Sequence, residues 1–213
     1  LVTDDWALLS APAIARARML YARRYAPKPD IVAQMQAQTD AEFVHSLRLA
    51  VGGGLTRAAL VLLGRPEATY ALGGPTPRIS WQLVDHRGDH MTHQHFELPL
   101  VLAIDALVGR VRIIDVNLLP PREVAPLNLP NYDDWVLREA LHNCVAHQDY
   151  AQGGRILVTE SPDTLRFFNY GEFLPGSVDK VLHAAQPEQR YRNACLANAM
   201  VELDLMETIN SGV

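Results

Sequence analysis

The stretch from Trp135 to Tyr150 carries three polar side chains that could act together in chemistry. Glu139, Asn143 and His147 follow one another every four residues, and residues four apart are neighbours on one face of a helix. A carboxylate can activate a water molecule, and an amide oxygen is a suitable ligand for a hard cation such as Mg²⁺. The pattern predicts a site that combines these functions, whereas the alternative is the solvated face of an ordinary amphipathic helix.

Hydrophobic periodicity predicts the elements that position this stretch. Four prolines within residues 118–130 indicate an extended loop that leads into the helix, with Asn131, Asp133 or Asp134 as its N-cap. Other helices are predicted over residues 12–25, 40–50, 98–114, 177–184 and 195–207, and strands over residues 78–84, 155–160 and 165–169. The last two strands form a hairpin. This order predicts an α+β fold, with helices on one side of a largely antiparallel sheet.

The order of elements divides the chain into two predicted parts. Residues 1–75 form a small helical unit, and residues 76–213 form the α+β domain. The connection over residues 66–77 contains three prolines and two adjacent glycines, which are typical of turns and loops. The chain begins without Met and stops directly after a helix-like run. We therefore expect a piece of a longer protein, with a domain preceding it and its C-terminal domain truncated.

Composition narrows the class of protein. The chain has 213 residues, of which 48% are hydrophobic and 20% are charged, as in ordinary globular domains. No apolar run is long enough to span a membrane and the first residues lack the features of a secretory signal, so we expect a cytoplasmic protein without a membrane partner. Cys144 and Cys195 match neither a metal-binding pair nor a disulfide scaffold, and we expect reduced thiols.

The charge distribution argues against nucleic-acid binding by the chain as a whole. The formal net charge is -5, whereas a phosphate-binding surface needs positive charge. One dense basic cluster lies in the first predicted helix and is typical of a solvated helix face, which makes direct DNA binding by residues 1–75 the weakest hypothesis. The cluster comprises Arg16, Arg18, Arg23 and Arg24.

A second cluster consists of histidines. Imidazoles at this density can bind zinc or another transition metal. Their spacing matches no metal-binding motif and no cysteine lies nearby in the sequence, so we interpret the cluster as part of a solvated hairpin. Elemental analysis for zinc distinguishes the two interpretations. The residues are His86, His90, His93 and His95.

Several motifs together resemble a known family. Residues 138–150 read REALHNCVAHQDY and are similar to the REALxNAxxHRDY signature of the RecG-related ATP-binding proteins, a divergent branch of the GHKL fold shared by gyrase, histidine kinases and MutL. Other stretches that resemble family motifs are residues 55–64 (LTRAALVLLG), 169–176 (NYGEFLPG), 192–193 (RN) and 210–212 (NSG). The chain departs from the family at residues 170, 172 and 173, which stand where the family has a compact Pro-Gly-Gly.

The resemblance implies a fold and a setting. The fold would be a GHKL (Bergerat-type) layered sandwich of helices on a mostly antiparallel sheet, preceded by the small helical unit. In the family a Schlafen-type DNA-binding domain precedes this module, and members are described as transcriptional regulators. The sequence has no GxxxxGK[ST] phosphate-binding loop, so the resemblance does not imply a P-loop helicase.

The resemblance also implies roles for individual residues. Glu139 would orient or deprotonate the attacking water, and Asn143 would bind Mg²⁺ together with phosphate oxygens. Asn169 would accept the exocyclic amine of adenine where the family has an aspartate. His147 and Asp149 would contact phosphate or form the helix end. The other candidates would line the phosphate side or a lid, or would serve as turn glycines: Gly171, Gly176, Arg192, Asn193 and Gly212.

The expected function is the binding of ATP with Mg²⁺, with slow hydrolysis that reports to a DNA-binding domain outside this chain. ATP is the expected ligand, and a homodimer is a candidate assembly. The alternative is a non-enzymatic interaction module that keeps the fold without the nucleotide. Asn169 in place of an aspartate and the net negative charge favour this alternative.

Overall fold

The computed structural model describes residues 2–112, 115–118, 127–174, 176, 177, 179, 183 and 191–206, with the backbone alone for residues 115–118 and 127–130. These residues form an α+β protein that combines helices with a mixed four-stranded sheet and two small antiparallel sheets. The predicted α+β class is therefore confirmed. Among the described helices, none is long and apolar enough to cross a membrane.

A group of helices precedes the main sheet. Ser10 caps the first of them by accepting a hydrogen bond from the backbone N–H of Ala13, which confirms the helix predicted over residues 12–25. The sequence pattern does not predict the second helix, because Pro29 is typical of a helix end; here it lies in the first turn, where its missing N–H costs nothing. The helices are α1 Ala11–Arg24, α2 Pro29–Ala37, α3 Asp40–Ser46, α4 Arg57–Leu63 and α5 Thr69–Leu72.

The prediction of a helix over residues 40–50 is wrong at its C-terminal end. α3 stops at Ser46, and Arg48 adopts a left-handed backbone conformation with φ of 58° that a continuing helix does not allow. The chain then forms a short hairpin of β1 Ala50–Val51 and β2 Gly54–Leu55. This hairpin brings the chain back to α4, whose side chains are buried from residue 58 to residue 63.

The main sheet has the strand order β4-β3-β7-β8. β3 and β4 form one antiparallel hairpin and β7 and β8 form another, as predicted for residues 155–169, and the central pair of β3 and β7 is parallel. The strands are β3 Ile79–Val84, β4 His90–Phe96, β7 Ile156–Glu160 and β8 Leu165–Phe168, and the helices in this part of the chain are α6 Leu100–Val108, α7 Asp134–His147 and α8 Ala194–Glu202. The helix predicted over residues 195–207 begins one residue earlier and ends at Glu202, so its predicted C-terminal end is wrong.

Two predictions about the segment between α6 and α7 are wrong. α6 ends at Val108 rather than at residue 114, and Gly109 follows it as the C-cap. The extended loop predicted over residues 118–130 contains a paired strand, because β6 Leu127–Pro130 pairs antiparallel with β5 Asp115–Leu118. Most of the helix predicted over residues 177–184 lies outside the described residues.

One cluster of buried side chains connects the helical unit to the sheet. α4 contacts both α6 and α8, and α1 contacts α6, so residues before and after position 75 contribute to the same cluster. Its largest fully buried members include Phe43, Leu60, Trp81, Leu100 and Ile104. The domain boundary at residues 75 and 76 stays a prediction.

A charged contact holds α7 against α1 and α6. Asp105 of α6 accepts hydrogen bonds from Arg16 of α1, over 2.7 Å, and from Arg138 of α7. Burial raises the pKa of Asp105, but the two guanidinium groups outweigh it and bring the pKa below its ordinary value. Arg138 is also paired with Asp134 one turn earlier, over 2.8 Å. The carboxylate of Asp105 therefore links α7 to α1 of the helical unit, because an arginine of each helix binds it.

Candidate functional site

The helix that carries the predicted site is defined by its own sequence. Asp133 is its N-cap and accepts a hydrogen bond from the backbone N–H of Trp135 over 2.8 Å, which selects one of the three predicted caps. Leu137, Leu141 and Val145 repeat every four residues and are buried against the core. Polar residues between these positions lie on the other face of α7.

Glu139, Asn143 and His147 share this face, as the four-residue spacing predicts. All three side chains are partly buried. The amide nitrogen of Asn143 donates a hydrogen bond to Glu139 Oε1 over 3.0 Å. Because the amide nitrogen faces the carboxylate, the Oδ1 atom of Asn143 points away from it and accepts no hydrogen bond within the described residues. The pair therefore places a carboxylate beside an amide oxygen, and the amide oxygen is available as a ligand.

His147 ends the polar face of α7 beside an aromatic ring. Its ring centroid lies 5.3 Å from that of Tyr191. Burial, and secondarily the positive charge of Arg192, lower the pKa of His147, so the imidazole is neutral at physiological pH. Burial and the nearby carboxylate of Glu139 raise the pKa of Tyr191. The polar face thus ends at the neutral imidazole of His147, which lies beside the neutral phenol of Tyr191.

Asn193 binds backbone carbonyl groups at the C-terminus of α7. Its amide nitrogen donates to the carbonyl oxygens of Ala146 and Gln148 over 3.1 and 2.8 Å. The last carbonyls of a helix have no partner within the helix, and these bonds satisfy them together with the backbone N–H of Asn193, which also donates to Ala146 over 3.2 Å. The side-chain amide nitrogen of Asn193 is therefore engaged in holding the helix end, and this residue has a structural role in addition to the predicted nucleotide contact.

Gln148 is a positioning residue that the sequence analysis missed. It is buried, its Oε1 accepts from the backbone N–H of Tyr170 over 2.9 Å, and its Nε2 donates to the carbonyl of Gly154 over 3.1 Å. The backbone N–H of Asp149 also donates to the carbonyl of Tyr170 over 2.8 Å. These bonds fasten the loop after β8 to the end of α7. No local signal marks this role, because the bonded residues are up to 22 positions apart.

Arg192 crosses this loop and joins it to Asp149. Its Nη1 lies 3.4 Å from Asp149 Oδ2 and its Nη2 donates to the carbonyl of Glu172 over 3.1 Å. Gly171 has φ of 129°, and a Cβ atom there would lie 2.9 Å from Arg192 Nε, so the close passage of the guanidinium requires glycine. Asp149 also caps the 3₁₀ turn Tyr150–Gln152.

The ionisation of Asp149 is favoured by its own turn. The side-chain hydrogen bond from Gln152 and the backbone N–H of Ala151 lower the pKa of Asp149, with a smaller contribution from Arg192. Asp149 is therefore a carboxylate at physiological pH, and a negative charge beside a phosphate is repulsive. A role at the helix end fits this geometry better than direct contact with phosphate.

The adenine side of the predicted site has a local arrangement of its own. The amide nitrogen of Asn169 donates to the carbonyl of Tyr170 over 3.3 Å, which leaves its Oδ1 as an acceptor. Gly176 has φ of 84°, so a turn accounts for it as well as for Gly171. Gly212, the last predicted contact, lies outside the described residues.

The predicted site residues thus fall into two neighbouring groups. Glu139, Asn143 and His147 lie along α7, whereas Asp149 and Arg192 line a cavity of about 650 Å³ together with Asn193. This cavity is formed between α4, residues 72–77 and the first turn of α8. Arg192 stands where the groups meet, since its charge acts on His147 and its side chain contacts the cavity.

The histidine cluster lies on the β3–β4 hairpin. His93 and His95 have ring centroids 5.3 Å apart, and His95 is hydrogen-bonded to the hydroxyl of Ser80 over 2.9 Å. Among the residues that the structure describes, no three histidine, cysteine, aspartate or glutamate side chains come together in a way that could hold a metal ion. β4 is exposed over residues 90–95, as a solvated hairpin requires.

The fold and the polar helix face define an α+β protein with a candidate site on α7. Neither a protein-family model nor a curated protein sequence matches the chain. Among solved structures, the chain is similar to the DIP2311 protein from Corynebacterium diphtheriae, with 20% sequence identity and a TM-score of 0.69. The match covers 96% of this chain and 38% of that protein, so the chain spans well under half of its relative. This likeness concerns the fold alone.

Proposed function

We propose that the polar face of α7 binds a nucleoside triphosphate together with Mg²⁺. The observation that carries the proposal is the Glu139–Asn143 pair, in which the amide nitrogen is turned to the carboxylate over 3.0 Å and the amide oxygen is left available as a ligand. The resemblance of residues 138–150 to the RecG-related signature agrees with this assignment and suggests ATP. The nucleotide state would report to a DNA-binding domain outside this chain.

The donor set fits magnesium. Mg²⁺ prefers oxygen ligands, keeps several of its waters and is commonly held by one or two protein oxygens together with substrate phosphates. Asn143 Oδ1 would be the protein ligand, and Glu139, whose Oε1 accepts the hydrogen bond from the Asn143 amide, would orient the attacking water. The metal would supply charge neutralisation for the phosphate oxygens.

Two other residues, His147 on this face and Asn169 after β8, would assist without carrying charge. His147 is neutral because burial and Arg192 lower its pKa, so it would donate one ring N–H rather than a full positive charge to a phosphate oxygen. Asn169 Oδ1 would accept from a purine amine, a neutral hydrogen bond that is roughly half as strong as one to a carboxylate.

Isothermal titration of the protein with ATP and Mg²⁺ tests the proposal. Asn143→Ala should weaken binding at least about tenfold, because it removes the ligand oxygen, and should abolish the dependence of the affinity on Mg²⁺. Asn198→Ala is the matched control, since Asn198 is exposed on α8 and does not belong to the polar face. Equal affinities for wild type, Asn143→Ala and Asn198→Ala would contradict the proposal.

A second substitution separates binding from hydrolysis. Glu139→Gln keeps the shape of the side chain and its acceptor oxygen but cannot accept a proton. If Glu139 activates water, this variant should bind ATP and Mg²⁺ as wild type does and release phosphate about 100-fold more slowly or worse. An unchanged rate of phosphate release would remove Glu139 from the chemistry while leaving nucleotide binding in place.

A non-enzymatic interaction module is the second candidate function. The observation that favours it is that Arg192 and Asn193 already bind carboxylate and carbonyl groups of the chain itself. Nucleotide binding would have to compete with these contacts. A protein whose melting temperature does not rise with saturating ATP and Mg²⁺ would support this candidate, because any ligand that binds only the folded state stabilises it.

A further inference from the structure

The cavity between the helical unit and the sheet domain is large enough for a small organic ligand. Its volume of about 650 Å³ falls in the range typical of small-molecule sites. The walls come from α4, residues 72–77, the turn after α7 and the first turn of α8. The polar pair Glu139 and Asn143 does not line it, so this cavity is distinct from that pair, although Arg192 borders both.

The walls of this cavity are mainly apolar. They include the side chains of Val61, Leu72, Pro75, Pro77 and Leu196. Apolar walls of this kind exclude water from a ligand and strengthen electrostatic contacts within the cavity. The ligand must therefore have an apolar body.

The polar groups at the cavity give it a net positive charge. Asp149 and Arg192 are paired with one another at 3.4 Å, so their charges compensate. Arg57 donates one hydrogen bond to the carbonyl of Leu72 over 3.0 Å, and within the described residues it has no carboxylate partner. One guanidinium charge and most of its N–H donors are therefore available to a ligand.

The first turn of α8 adds backbone donors on the same cavity. Its first helical hydrogen bond runs from the N–H of Ala197 to the carbonyl of Asn193, so the N–H groups of residues 194–196 have no partner within the helix. The side chain of Asn193 does not cap them, because it is engaged with the end of α7. Arg57 and this helix start both favour an anionic group.

We propose that this cavity binds a small amphipathic monocarboxylate, aromatic or aliphatic, with its carboxylate at Arg57 and the first turn of α8 and its apolar body among Val61, Leu72 and Leu196. The bound molecule contacts α4 from the helical unit and α8 from the sheet domain. A bound ligand therefore stabilises the packing of the helical unit against the sheet domain, as expected of an effector site. The inference does not depend on nucleotide binding at α7.

The chain contains its own reporter for this cavity. Cys195 is an exposed thiol in the first turn of α8 and lines the cavity. Cys144 is buried, and burial raises the pKa of its thiol to about 11, so it is poorly reactive at neutral pH. A neutral reagent such as N-ethylmaleimide should therefore label Cys195 alone, and Cys195→Ser should leave the protein unlabelled.

The test measures the rate of this labelling by mass spectrometry in the presence of naphthoate, an aromatic monocarboxylate, and of naphthamide, its neutral analogue. Naphthoate at ten times its dissociation constant should slow the labelling about tenfold, because only the empty fraction reacts. Naphthamide should need about a tenfold higher concentration for the same effect. Arg57→Met should bring naphthoate to the level of naphthamide, whereas Arg166→Met, at an exposed position on β8, should change neither.

Two further variants test whether naphthoate binds in this cavity. Ala194→Trp, at an exposed position in the first turn of α8, should fill the cavity and abolish protection by naphthoate while the far-UV circular dichroism stays that of wild type. Asn143→Ala should retain full protection, since that residue belongs to the other site. Labelling that naphthoate does not slow, equal protection by naphthoate and naphthamide, or unchanged protection in Arg57→Met would each overturn the proposal.

Discussion

Replacing His142 by leucine should make the folded protein less sensitive to acid. The side chain of His142 is 3% exposed on the inner face of α7, and its Nε2 has no hydrogen-bond partner within the described residues. Burial lowers the pKa of His142 from 6.5 to about 4, and the nearby Arg138 and Arg23 act in the same direction. The carboxylate of Asp105 and a backbone contact at Leu205 oppose the shift without cancelling it.

The sign and size of the effect follow from linkage. In the unfolded chain His142 takes up a proton as the pH falls through 6.5, whereas in the folded protein it stays neutral until about pH 4. Acid therefore stabilises the unfolded state first, and the folded protein loses stability between these two values. Each unit of pKa difference corresponds to about 1.4 kcal/mol, so the full loss is about 3 kcal/mol, to an order of magnitude.

Urea denaturation followed by tryptophan fluorescence, repeated from pH 7.5 to pH 4, measures this loss. Other groups also titrate in this range, so the relevant quantity is the difference between the slopes of wild type and His142→Leu. The variant should lose about 2–3 kcal/mol less than wild type over the interval. His90→Leu, at an exposed position on β4, should keep the wild-type slope.

Parallel slopes for wild type and His142→Leu would refute the reasoning, because they would mean that His142 binds its proton equally well in both states. A direct measurement covers the case in which the leucine variant folds poorly. The imidazole C–H resonance of His142 in the wild-type protein should titrate near pH 4, and a midpoint near 6.5 would equally reject a buried neutral imidazole.

The remaining predictions concern contacts that position the site, and each is measured as the free energy of unfolding in urea. Asn193→Ala should cost about 1–2 kcal/mol because the carbonyl of Gln148 loses its donor, whereas that of Ala146 keeps the backbone N–H of residue 193; an unchanged value would show that water replaces it. Gly171→Ala should cost about 1–3 kcal/mol because of its positive φ and its contact with Arg192, and a neutral effect would argue against that crossing. Trp81→Phe should cost about 2 kcal/mol, since the indole N–H donates over 2.9 Å to Glu160, which is 2% exposed; a stabilised variant would contradict this.

Local sequence patterns were sufficient for much of the secondary structure around the site. The apolar residues of α7 repeat every four positions and an aspartate precedes its first turn, so both its face and its start could be predicted. The β7–β8 hairpin was equally accessible, because its strands are adjacent in the chain and the turn between them is short. Where the local signal was ambiguous the prediction failed: the helix that begins at Pro29 was missed, and the helix before Arg48 was predicted too long.

The sequence alone determined that Glu139, Asn143 and His147 share one helix face, because helical geometry places residues four apart together whatever surrounds them. Only the tertiary structure decided which partners the other candidates have. Asn193 bonds to a carbonyl 45 positions earlier, and Arg192 to a carboxylate 43 positions earlier. Such contacts depend on how α7, the loop after β8 and α8 pack, and packing also creates the cavity beside Arg57. No spacing in the sequence encodes these contacts, because they arise only when distant segments of the chain share one core.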